Sequence, residues 1–165
     1  MNFMMVLTVA VAALFSCQKA EINESKEFTV HVSGEGISAK TGFGEFMDNR
    51  YPTLWQENDQ VKFNLNNSQD VLADATLKDA GASADFTLNF ADDASGSYTI
   101  YALSPASAAV SFAEGNLLVD VPAVQTPSAS SCDPSAQILY AQSPTSSVKP
   151  TEFKAQFHHL TSYLK

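Results

Sequence analysis

The chain of 165 residues has two cysteines, one tryptophan and one arginine, and only 16% of it is charged. Two cysteines, Cys17 and Cys132, exclude a disulfide-rich scaffold and a four-cysteine zinc site. Basic residues are missing altogether between Lys78 and Lys149, where Asp79, Asp85, Asp92, Asp93, Glu114, Asp120 and Asp133 all fall. That gap, with a formal net charge of -9, leaves no stripe that could track phosphates and excludes nucleic acid as the expected partner. Long hydrophobic runs are missing too. The best, Phe3 to Phe15 interrupted only by Thr8, reaches about 20 Å as a helix against the roughly 30 Å of a bilayer core. What is present is 45% apolar residues, enough for one packed domain rather than a disordered chain.

Catalytic constellations are also wanting, since a site needs a nucleophile, an acid/base pair or a metal with partners in reach. No His-Glu-x-x-His, Cys-x-x-Cys or Gly-x-Ser-x-Gly occurs, and Gly34-Glu35-Gly36 and Gly42-Phe43-Gly44 lack the spacing of a phosphate or dinucleotide loop. His31 falls on the outward side of the Phe28-Val30-Val32 alternation. His158 and His159 are adjacent, so in a strand they face opposite ways and do not share a metal. Asp92-Asp93 reads as turn chemistry rather than a calcium loop. Cys132, between Ser131 and Asp133, has no cation to lower its pKa. The expectation is a protein without enzymatic activity, cofactor or metal.

The apolar run ends in Leu14-Phe15-Ser16-Cys17, a small residue before a cysteine at the end of a hydrophobic region of signal-peptide length. This resembles a bacterial lipoprotein lipobox, which implies acylation of Cys17 after removal of residues 1–16; an ordinary secretory signal cut nearby is the alternative. Met1 to Met5 carries no Lys or Arg where a positive segment is usual. Residues 17–26, with Lys19, Glu21, Glu24 and Lys26, read as a polar tether. Acidic residues just after a lipidated cysteine favour outward export in surface lipoproteins of Bacteroidetes, which places the protein at the outer membrane, surface-exposed and anchored by lipid.

Residues 27–165 alternate with period two and show no amphipathic helix. Phe28-Val30-Val32, Val61-Phe63-Leu65 and Phe86-Leu88-Phe90 are half-buried strands. Tyr98 to Leu103, Leu117 to Val121, Ile138 to Tyr140 and Phe153 to Phe157 add four more. Turn signals at Asn66-Asn67-Ser68, Asp79-Ala80-Gly81, Asp92 to Gly96 and Glu114-Gly115-Asn116 separate them. Short strands so punctuated predict an all-β fold, an antiparallel sandwich or Greek-key barrel. Val71 to Leu77 fits a helix or a strand. Six of the seven prolines lie between Pro105 and Pro150, which predicts a long irregular connection, a plain surface loop or a binding loop.

Several stretches in order resemble the N-terminal domain of the fimbrillin-like lipoproteins of Bacteroidetes, the family of type V pilus subunits and related adhesins. They are Lys40-Thr41; Trp55-Gln56-Glu57-Asn58-Asp59-Gln60-Val61, with Asn58 where the family has glycine; Tyr98 to Pro105; Val121-Pro122-Ala123-Val124-Gln125; Asp133 to Ala141; and Phe153 to Leu164 with Phe157-His158-His159-Leu160. Together they cover residues 40–164. The resemblance implies a transthyretin-like β-sandwich, Trp55 and Asp59 as structural motif residues, and partners among fimbrial subunits or host and bacterial surface ligands. It further implies cleavage by a trypsin-like protease after an arginine, here Arg50, releasing the first strand so that a neighbour's strand replaces it. The chain stops inside the last recognisable strand, so a truncated product is expected. The alternative function is a carbohydrate-binding outer-membrane lipoprotein of a polysaccharide-uptake system, with Tyr51, Trp55, Tyr98, Tyr101 and Tyr140 available to stack on sugars.

Overall fold

The computed structural model describes residues 27–35, 42–43, 53–92, 96–113, 116–126 and 133–161. Cys17, Arg50, Tyr51, Cys132, the signal segment, the tether and Lys40-Thr41 lie outside the described residues.

Among the described residues thirteen strands follow one another: β1 (Glu27–Glu35), β2 (Gly42–Phe43), β3 (Thr53–Leu54), β4 (Gln60–Leu65), β5 (Gln69–Asp74), β6 (Thr76–Lys78), β7 (Ser83–Ala91), β8 (Ile100–Ser104), β9 (Ala109–Ala113), β10 (Asn116–Val119), β11 (Leu139–Gln142), β12 (Glu152–Gln156) and β13 (His158–His159). Four of them form one sheet in the order β12-β1-β7-β6, and five form a second in the order β13-β11-β8-β4-β5. β2 pairs with β3, and β9 with β10 as a hairpin. The two larger sheets pack face to face, and the all-β sandwich is what the period-two pattern predicts.

The alternation explains which face is buried. Val30 and Val32 of β1, Val61, Phe63 and Leu65 of β4, Phe86, Leu88 and Phe90 of β7, and Phe153 and Ala155 of β12 all point into one cluster between the sheets. Truncating one of these aromatics to alanine would cost about 3–5 kcal/mol, because the neighbours relax only partly into the space. His31, between Val30 and Val32, is exposed as expected.

β8 and β11 behave differently. Ile100 and Ala102 enter the inter-sheet cluster, while Tyr101 and Leu103 point the other way. There they meet Ala109 and Phe112 of β9, Leu117 and Val119 of β10, and Ile138 and Tyr140 beside β11. β8 is therefore covered on both faces, which is why it reads as a continuous apolar run rather than an alternating one.

Two expectations change and one open choice is decided. The Pro105–Pro150 stretch is not a plain irregular connection, since it contributes the β9–β10 hairpin as a third layer and then β11. Val71 to Leu77 forms β5 and β6, with the chain turning from one sheet to the other at Ala75. The sandwich is also not wholly antiparallel: β1 runs parallel to β12, with Val32 opposite Phe153 and Gly34 opposite Ala155. Period two identifies the buried face of a strand and carries no information about its direction. Direction follows from how many times the chain crosses between the sheets before β12 reaches the edge of β1.

Candidate functional site

The motif from Trp55 to Val61 is a piece of architecture. Trp55 is 2% exposed and meets Phe86 and Phe157 edge to face, with ring centroids 5.5 and 5.2 Å apart. Directly after it, residues 56–59 make a tight turn in which the Asp59 N–H donates to the Gln56 carbonyl at 3.1 Å. The Gln56 N–H in return donates to the Asp59 carboxylate at 2.9 Å. Asn58 has φ 71°, the left-handed conformation that asparagine, like glycine, adopts at low cost. Asp59 also accepts at its carbonyl from the Ala75 N–H, 2.9 Å away, and so ties this turn to the corner between β5 and β6. Trp55 itself is held by its backbone N–H donating to the Gly81 carbonyl at 2.7 Å. Gly81 has φ +90°, and a Cβ there would lie 2.5 Å from the Trp55 carbonyl oxygen. Only glycine fits this approach.

This placement corrects one use of the aromatic residues. Trp55 and Tyr98 are 2% and 4% exposed, and Tyr98 packs edge to face on Phe28, so neither has a ring face to offer a sugar. Tyr101 and Tyr140 are half-buried.

A second polar site was not singled out from the sequence. Asp133 accepts four hydrogen bonds: from the Ser135 hydroxyl at 2.6 Å, the Ser135 N–H at 2.9 Å, and the Thr126 N–H and hydroxyl at 2.9 and 3.2 Å. These hold its carboxyl down at about 2, below the usual 3.8, the Ser135 hydroxyl being the largest influence. The carboxylate fastens Thr126 to the turn at Pro134–Ala136. The Asp-Pro-Ser run was the available signal, since aspartate commonly bonds to the backbone two residues on.

Among the described residues two depressions stand out. One of about 300 Å³ on the outer face of the four-stranded sheet is lined by His31, Lys78, Asp85, Thr87, Glu152 and Lys154 among others. Its charges are compensated internally, Lys78 pairing with Asp85. The other, of about 440 Å³, opens on the side of the sandwich between β11 and β12. One wall is the edge of β12 from Phe153 to Gln156; the other is Tyr140, Gln142 and Pro144, and His158 stands at its end. The Tyr140 hydroxyl donates to the Gln142 carbonyl oxygen at 2.7 Å. Burial, reinforced by Tyr101, raises the Tyr140 pKa above the usual 10.0, so this phenol keeps its proton. Among the described residues no carboxylate lines this cleft.

The sequence-predicted residues are thus not brought together: Trp55 and Asp59 sit in the core and its adjoining turn, and Cys17 and Arg50 lie outside the described residues. Among the described residues no group of three or more His, Cys, Asp or Glu could hold a metal ion, and no helix is long and apolar enough to cross a membrane. Asp92 pairs with Lys149. Lys154, Gln142 and Gln156 escaped the sequence reading because nothing in a period-two pattern says which strands end at a sheet edge.

Fold and site together define an all-β sandwich with a cleft lined by β11, β12 and His158. Compared with known proteins, the chain matches no family model, no curated protein and no solved structure.

Proposed function

We propose that the protein is a lipid-anchored, surface-exposed outer-membrane protein of the fimbrillin-like kind, a fimbrial subunit or adhesin that acts by binding or assembly and not by catalysis. The observation that carries this reading is the order of parts: Leu14-Phe15-Ser16-Cys17, a short polar tether, and then a β-sandwich whose first strand opens at Glu27. A single short acyl chain holds a protein to a membrane only marginally, whereas several chains on one cysteine anchor it stably. Metabolic labelling with an alkyne fatty acid tests the anchor. Label is expected on the wild type and absent from Cys17→Ser; a labelled Cys17→Ser protein ends the proposal.

The assembly form of the reading draws support from the position of β1. It lies between β7 and β12, with Val30 and Val32 fully buried, so its release would bare a groove with unpaired backbone on both sides, which strand addition repairs. Limited trypsin treatment of the folded lipoprotein is expected to cut after Arg50 and to be followed by ladders on a gel. Arg50 remaining intact while Lys19 and Lys26 are cut would leave a stand-alone adhesin. The alternative, a carbohydrate-binding lipoprotein of a polysaccharide-uptake system, loses Trp55 and Tyr98 to the core and keeps Tyr140, which faces the side cleft.

A further inference from the structure

We infer that the cleft between β11 and β12 is a binding site for an acidic sugar, a hexuronate unit of a larger glycan. This rests on the reading of the protein as a surface binding module and gives that module a ligand class.

Three features carry the inference. The first is the balance of donors and acceptors. Lys154, His158, Gln142 and Gln156 line the cleft, and because the Tyr140 hydroxyl occupies the Gln142 carbonyl oxygen, what Gln142 has left to offer a ligand is its NH2 group, two donors. Lys154 adds three donors and a positive charge. Among the described residues the lining holds no Asp or Glu; Lys154 is shared with the neighbouring depression of Asp85 and Glu152, and on a chain of net charge -9 its cleft side suits a carboxylate-bearing guest. The second is the apolar part of the wall. The half-buried Tyr140 ring and Pro144 offer a surface for the C–H face of a pyranose, the way aromatic side chains combine apolar area with a polar handle. The third is size: about 440 Å³ falls in the range of small-molecule sites, roughly 300–1,000 Å³. An added peptide strand is the poorer occupant, since lysine on an edge strand, here Lys154 on β12, is a common device against strand pairing.

Calorimetric titration of the full-length protein in detergent with a galacturonic-acid trisaccharide tests this, beside the neutral galactose trisaccharide and a glutamate peptide. Saturable binding of the acidic sugar alone is expected. Lys154→Gln should weaken it about tenfold by removing a charge-assisted contact. Tyr140→Phe, which keeps the packing of the ring and releases the Gln142 carbonyl oxygen as an acceptor, should weaken it by a smaller factor, and Lys78→Gln should leave it unchanged. A thermal melt of each variant confirms folding. No binding at millimolar sugar, equal binding of the neutral sugar or of the glutamate peptide, or an unaltered Lys154→Gln would overturn the inference. Acyl labelling at Cys17 is independent of all these titrations, so the ligand class and the anchored-module reading fail separately.

Discussion

The two sides of the sandwich are built differently. On one, the chain itself closes the gap: β5 passes at Ala75 into β6 of the opposite sheet, and the Ala75 N–H is held by the Asp59 carbonyl. The same side carries a side-chain staple. Gln69 of β5 donates from its amide nitrogen to the Ala91 carbonyl and accepts from the Ala91 N–H at its amide oxygen, both at 2.9 Å, imitating a strand pair between two sheets. On the other side the chain crosses too, β12 passing at Phe157 into β13, which pairs with β11 at Leu139 and Tyr140, but among the described residues no side-chain staple joins β11 to β12, and the cleft opens. Both sides carry a one-residue crossing of the chain; the side that adds a satisfied amide between its edges is closed, and the side without one offers the cleft.

Four outcomes sharpen or break that contrast. Trp55→Ala should have the largest effect, about 3–5 kcal/mol, since the indole wedges Phe86 of one side against Phe157 of the other; chemical denaturation measures it. Gln69→Ala removes two hydrogen bonds and should destabilise by about 1–3 kcal/mol, again by denaturation. An unchanged midpoint would mean that the corner at Ala75 alone closes that side. The Asp133 clamp adds a pH-dependent increment. Its folded carboxyl titrates at about 2 against the usual 3.8, so the unfolded chain takes up the proton first as pH falls. The stabilisation is complete above about pH 4–5 and is lost as pH falls through 2. Thermal melts over this range should show a fall that Asp133→Asn lacks. Smallest is Lys154→Gln on the open side, which should alter stability by less than about 0.5 kcal/mol; a larger loss would make the lysine part of the closure.

Much of the fold was legible before any coordinates. Val61, Phe63 and Leu65, or Phe86, Leu88 and Phe90, mark buried faces directly, and Asn58 in place of glycine foretold a left-handed residue. The hairpin β9–β10 was obscured because Ala109 to Ala113 sits in a proline- and serine-rich stretch, where small residues give little contrast between faces. The side cleft had no trace in sequence at all: Gln142, Lys154, Gln156 and His158 are ordinary exposed residues of three different strands, and only the sheet order makes them neighbours.

By itself the sequence determined the all-β class, the acidic character, and the inward row of each main strand, because these depend on residue type and on a period of two along a single strand. The tertiary structure decided the parallel pairing of β1 with β12, the burial of Trp55 and Tyr98, and the placing of Tyr140 beside the edge of β12. Those depend on which distant strands become neighbours and in what direction, a choice settled by closing the whole core at once and invisible to any local pattern.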